Sequence, residues 1–159
     1  ALVDGPTRTN QESYRGALAR WPKVAAGLGN FQTRRVKCRV SACTFGGSRF
    51  YVGTEEKRTD VSIAVMLLDD AYQDRADRFV IISGDSDLVP SVNLMKLRFP
   101  EKQVIVYVPS RDPRRGAAVE LRSAADKARS LPMELIQRSA FAREIPDGHG
   151  GTIRKPVDW

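Results

Sequence analysis

Little in this sequence can build a disulfide framework or a zinc centre: its 159 residues hold two cysteines and one histidine. A stapled secreted scaffold is thereby excluded, and a reducing cytoplasm is the expected compartment. Long apolar runs are also missing. The longest nearly apolar stretch, Val61 to Leu68, is too short to span a bilayer, and no charged-then-apolar leader opens the chain. No Walker sequence occurs, and Gly27-Leu28-Gly29 is followed by Gln32 where a dinucleotide fingerprint needs glycine. No nucleotide cofactor is expected. What is present, 42% apolar and 28% charged residues, suits one hydrophobic core, since a chain of this length buries roughly 68–70% of its unfolded surface.

The net charge of +7 is unevenly spread. Residues 8–39 carry eight bases and one acid, and residues 109–143 carry eight bases and four acids, whereas residues 54–87 carry nine acids and four bases. Basic arms around a carboxylate-rich middle suit a polyanion, because phosphate contacts supply most non-specific nucleic-acid affinity. A solvated basic surface would show the same balance.

Periodicity places the elements. Thr9 and Glu12 have capping-box spacing, and Tyr14, Ala17, Leu18 and Trp21 fall at helical intervals before Pro22, which predicts a helix over 10–21. Strands and turns are expected over 24–40, then a glycine-rich loop to Gly53 with Phe50 and Tyr51 starting a short extended piece. From Asp60, residues Ile63, Ala64, Leu67, Leu68 and Ala71 form an apolar stripe that Val61, Val65 and Tyr72 widen, so this helix is expected to be largely buried. Phe79-Val80-Ile81-Ile82 reads as a central strand covered on both faces. A helix over 88–99 and a strand over 104–108 complete a βαβ unit, so the sheet should be at least partly parallel. A helix over 121–131 and a last short strand at 133–136 follow. One domain over 1–145 and a basic tail over 146–159 are expected.

In an open α/β sheet, ligands bind beyond the carboxyl ends of the strands, where Ser83-Gly84-Asp85-Ser86-Asp87 stands. Either aspartate could instead cap the following helix. Asp60 lies at the end of the apolar helical stripe and is expected to point at the sheet, the alternative being a first-turn acid favoured by the helix dipole. Three carboxylates converging at one strand end, without a histidine or cysteine set, favour Mg²⁺ or Mn²⁺ over zinc. Such an ion activates water and clamps a phosphodiester.

The run Glu56-Lys57-Arg58-Thr59-Asp60-Val61-Ser62-Ile63-Ala64, followed by Ser83-Gly84-Asp85-Ser86-Asp87-Leu88, resembles the two hallmark motifs of NYN domains, the DUF88 or LabA-like group of the PIN-like nuclease superfamily. Leu121 to Asp126 is similar to the family's late "L…AD" helix. The resemblance implies a three-layer α/β/α sandwich around a mainly parallel sheet and a metal-dependent ribonuclease, with Asp60, Asp85 and Asp87 as catalytic and metal-binding acids and Ser83 as a neighbouring polar contact. The family pattern begins with a strand ending Asp-Gly-x-Asn. Here the sequence starts Ala1-Leu2-Val3-Asp4-Gly5-Pro6-Thr7, with Thr7 where the Asn belongs and almost no strand before it, so that first strand is expected to be missing.

Lys57, Arg111, Arg114 and Arg115 are expected to position RNA phosphates. RNA is the expected partner, no membrane contact is expected, and self-association into a homo-oligomer stays open. Two rival readings remain: a non-catalytic RNA-binding or regulatory NYN module, and a protein like those of the same Glu-Lys-x-x-Asp-Val pattern assigned to pyridine-derivative oxidation, for which no flavin, haem or non-haem iron signature is seen. Cys38 and Cys43 resemble half a zinc knuckle but lack partners, and His149 among glycines reads as an exposed loop residue.

Overall fold

The computed structural model describes residues 5–41, 43–44, 46–47, 49–109 and 118–157. In chain order the elements are α1 (Gly5–Leu18), β1 (Asn30–Lys37), β2 (Phe50–Lys57), α2 (Thr59–Tyr72), β3 (Arg78–Ile82), a 3-10 turn (Ser86–Leu88) and α3 (Val89–Arg98). Then come β4 (Gln103–Val108), α4 (Val119–Ala124), β5 (Lys127–Ser130), α5 (Met133–Arg138), β6 (Glu144–Pro146) and β7 (Thr152–Arg154). They group into two units, residues 60–140 and residues 1–59 with 141–159.

Unit 60–140 is the α/β class the sequence predicts: a parallel sheet of order β3-β4-β5 flanked by helices. Phe79 and Ile81 of β3 line up with Val104 and Val106 of β4, and these side chains join Leu67, Leu88, Val92, Met95 and Leu121 in one core. Helix α3 starts with Pro90 in its first turn, where the missing N–H has no intrahelical partner to lose.

Four expectations are corrected here. Strand β3 is not central or covered on both faces: it pairs only with β4 among the described residues, and Val80 and Ile82 alternate outward. An unbroken apolar run therefore does not require two-sided burial. Helix α2 buries only the stripe Leu67 and Ala71 with Ala64 and Leu68 partly covered, while Val61, Val65, Met66 and Tyr72 are exposed. The helix expected over 121–131 stops at Ala124, because Ala125 turns extended and the chain leaves to form β5. Residues 133–136 are helical, entered from an extended Pro132, since a short apolar run fits either period.

The α4-to-β5 turn is fixed by one carboxylate. The backbone of Asp126 donates to the Val104 carbonyl (3.0 Å), and its Oδ2 accepts the Val104 N–H (2.7 Å). Lys96 sits 2.9 Å from the other oxygen. The Val104 N–H, followed by the Lys96 ammonium, holds the Asp126 carboxyl below its usual range. Asp126→Ala leaves the N–H of fully buried Val104 unpaired, an effect of about 2 kcal/mol, so thermal denaturation should show a midpoint lower by roughly 4–8 °C. Because the folded pKa is depressed, this stabilisation is present above the unfolded value of about 3.9 and fades as pH falls through the folded value. The variant should accordingly lose part of the acid limb of its stability curve.

In the other unit, β1 and β2 form an antiparallel ribbon and β6 and β7 a small hairpin. The α1 helix ends at Leu18, earlier than Pro22 requires, and Trp21 is exposed in the following turn. Its Gly16 faces β7: a Cβ there would stand 3.3 Å from the Ile153 methyl, so that side chain would have to shift slightly. Asp147 folds the β6–β7 turn by accepting the His149 and Gly151 N–H groups, which leaves His149 exposed in its loop.

Candidate metal centre

The carboxyl end of β3 carries the Ser83–Asp87 segment. The Ser83 N–H extends the ladder to the Tyr107 carbonyl (3.2 Å), and the Ser83 hydroxyl accepts the Asp85 N–H (3.1 Å). Asp85 is the N-cap of the 3-10 turn, its Oδ1 accepting the Asp87 N–H at 3.0 Å. Leu88, wholly buried, then anchors the turn in the core, and the buried Ser91 hydroxyl donates to its carbonyl (2.7 Å). The loop is thus held at both ends.

Asp60 reaches the same place from α2. Positions 60, 64, 67 and 71 share one helical stripe, so the face that buries Leu67 and Ala71 also aims Asp60 inward at the helix start. One carboxylate oxygen from each of Asp60, Asp85 and Asp87 lies within 4.8 Å of the others. Asp60 is half-buried and the other two exposed. Only Asp85 spends an oxygen on capping. Among the described residues, the carboxylates of Asp60 and Asp87 make no hydrogen bond or ion pair.

This donor set fits a hard divalent cation. All three donors are carboxylate oxygens, the ligand type that Mg²⁺ and Mn²⁺ take, and they lie within 4.8 Å of one another. Asp85 and Asp87 are exposed, so an ion held there would be open to water or phosphate. An open cleft of about 690 Å³ adjoins the centre, lined by Ser83–Ser86 and by Ala118, Val119 and Glu120.

Glu120 is the acid that the motif reading passes over. It stands directly before the Leu121 that opens the "L…AD" segment and lines the cleft from α4. Asp126, the acid inside that segment, is instead occupied with Val104 and Lys96. Lys57 belongs to the other unit, where its ammonium donates to Glu55 (2.8 Å). Arg111, Arg114 and Arg115 lie outside the described residues, as do Asp4 and Trp159.

A family profile described as NYN domain matches residues 5–132. The chain belongs to the NYN-domain family. Among curated proteins it is similar to the 6-hydroxy-3-succinoylpyridine 3-monooxygenase HspA of Pseudomonas putida, with 28% identity over 106 residues. That match covers 66% of this chain and 33% of the relative, so the chain spans about a third of the relative's length. No solved structure matches it significantly. NYN domains fall within a nuclease-like superfamily, and this one carries an acidic cluster able to hold a metal ion. Among its described residues, no helix is long and apolar enough to cross a membrane.

Proposed function

We propose that this NYN domain is a cytoplasmic, divalent-metal-dependent ribonuclease that cleaves RNA phosphodiester bonds at Asp60, Asp85 and Asp87. The observation that carries the reading is the meeting of these three carboxylates at the end of β3, with two of them making no hydrogen bond or ion pair among the described residues. A bound Mg²⁺ or Mn²⁺ would supply an activated water and charge neutralisation at the phosphate. Asp60, Asp85 and Asp87 would hold that ion, and Ser83 shapes the loop that presents two of them. Lys57, Arg111, Arg114 and Arg115 would contact phosphates along the RNA.

The test is cleavage of a mixed panel of labelled RNAs with and without EDTA. Products should form with Mg²⁺ or Mn²⁺, vanish on chelation and return when the ion is restored. Cleavage indifferent to EDTA, or none with either ion, overturns the reading. RNA binding with no products under any metal would select the non-catalytic module instead. A second reading, oxidation of a pyridine derivative, draws on the printed name of the Pseudomonas relative. Oxygen-dependent conversion of a hydroxypyridine by this protein, supplied with a reductant, would select it.

A further inference from the structure

The β1–β2 ribbon has two unlike faces. Directly opposed residues of an antiparallel pair share a face, and the register pairs Phe31 with Glu56, Thr33 with Thr54, Arg35 with Val52 and Lys37 with Phe50. All eight of these residues are exposed, whereas the half-covered members of the ribbon, Val36, Gly53 and Glu55, all belong to the opposite face. The outward face should therefore be polar. It instead presents Phe31 (42% exposed), Phe50 (45%) and Val52 (71%) beside the bases Arg35 and Lys37.

Charge is also segregated along the ribbon. Residues 34–53 contain five bases and no acid, while both acids, Glu55 and Glu56, stand at the end remote from the connecting loop. Glu55 is neutralised by Lys57 and Arg34, and Glu56 accepts a hydrogen bond from Thr59. The Arg35 guanidinium lies over the Phe50 ring, 4.5 Å from its centroid. Lys37 is two residues away on the same face, about 6.6 Å along the strand.

We infer that this face of the ribbon, built from residues other than the carboxylate cluster, is a docking surface for single-stranded RNA. Arg35, held against Phe50, offers its outer plane for a base to stack on, and Phe31 offers a second stacking surface. Lys37 and the loop-ward arginines supply phosphate contacts. Paired duplex strands hide their base faces, so such a surface favours unpaired nucleic acid. The choice of RNA over DNA rests on the ribonuclease reading.

The experiment is fluorescence anisotropy of a labelled 12-nucleotide RNA on the full chain in EDTA, across a salt series. The same titration is run with DNA of that sequence, duplex RNA and heparin. Arg35→Gln with Lys37→Gln should weaken binding by roughly 5-fold or more at 0.1 M salt, from the lost stacking plane and the lost Lys37 phosphate contact, and lower the salt slope by about 0.7. Phe31→Ala should cost roughly 5-fold or more for single-stranded RNA and nothing for heparin. Circular dichroism and melting should match the parent, since all three positions are exposed. Unchanged affinity in the double variant overturns the inference. So does duplex or heparin binding as tight as single strands with Phe31→Ala indifferent, which describes an unselective polyanion surface. A preference for DNA overturns the assignment to RNA. Because EDTA silences the proposed cleavage, the binding result stands whether or not the chain is a nuclease.

Discussion

Asp85→Asn should leave the fold intact and reduce metal-dependent RNA cleavage by at least about 10²-fold, the scale for removing one charge-stabilising group from a reaction centre. The substitution separates the two roles of this side chain. An asparagine Oδ1 still accepts the Asp87 N–H that Asp85 takes at 3.0 Å, and asparagine is as good an N-cap as aspartate. What disappears is the negative charge offered to a cation. Single-turnover cleavage at saturating Mg²⁺, with melting followed in parallel, should show lost chemistry at an unaltered midpoint. Asp87→Asn should behave alike, for Asp87 has no capping duty among the described residues. Full activity in both variants would remove the cluster from the mechanism.

Leu88→Ala should have the largest effect on stability, about 3 kcal/mol, and lower the melting midpoint by roughly 6–12 °C. Leu88 is wholly buried and packs with Val92, Met95 and Leu121, so its truncation leaves a void within a small core. It also follows the acidic loop directly. Loosening this anchor frees the turn whose first residue is Asp85, so the surviving folded protein should need more Mg²⁺ for half-maximal cleavage. Leu88→Met, which preserves volume, should cost under about 1.5 kcal/mol and keep the metal requirement of the parent. Thermal melts and Mg²⁺ titrations of the two variants check both statements.

The acidic centre was legible because its three members announce themselves by different rules. Asp85 and Asp87 follow a β-branched run at once, which places them at the carboxyl end of a strand. Asp60 belongs to a helical stripe whose buried members, Leu67 and Ala71, fix its direction. The parallel β3-β4 pairing followed from the length of the connection between two apolar runs. The end of α4 was not legible in the same way. Helix periodicity continues from Leu121 through Leu131, whereas the hydrogen bonds between Asp126 and Val104, a partner 22 residues earlier, and the pairing with β4 draw the chain into β5. Similarly, Phe79 to Ile82 looks like an interior strand because its outward residues are as apolar as its inward ones, and nothing local records that, among the described residues, one strand alone lies alongside. Glu120 escaped notice for a related reason: its place in the cleft is set by the approach of α4 to the β3 loop, not by its own surroundings in the chain.

The outer flank of β3 has a practical bearing on handling the isolated chain. Among the described residues its backbone donors and acceptors on that side meet no second strand, and Val80 and Ile82 are exposed, so it offers a template onto which another extended segment can zip. Concentrated solutions of the isolated chain should therefore show concentration-dependent association, checked by light scattering, that starts at this margin. A lysine gatekeeper in place of Val80 would blunt that tendency while sparing the inward-facing Phe79 and Ile81 that hold the strand down.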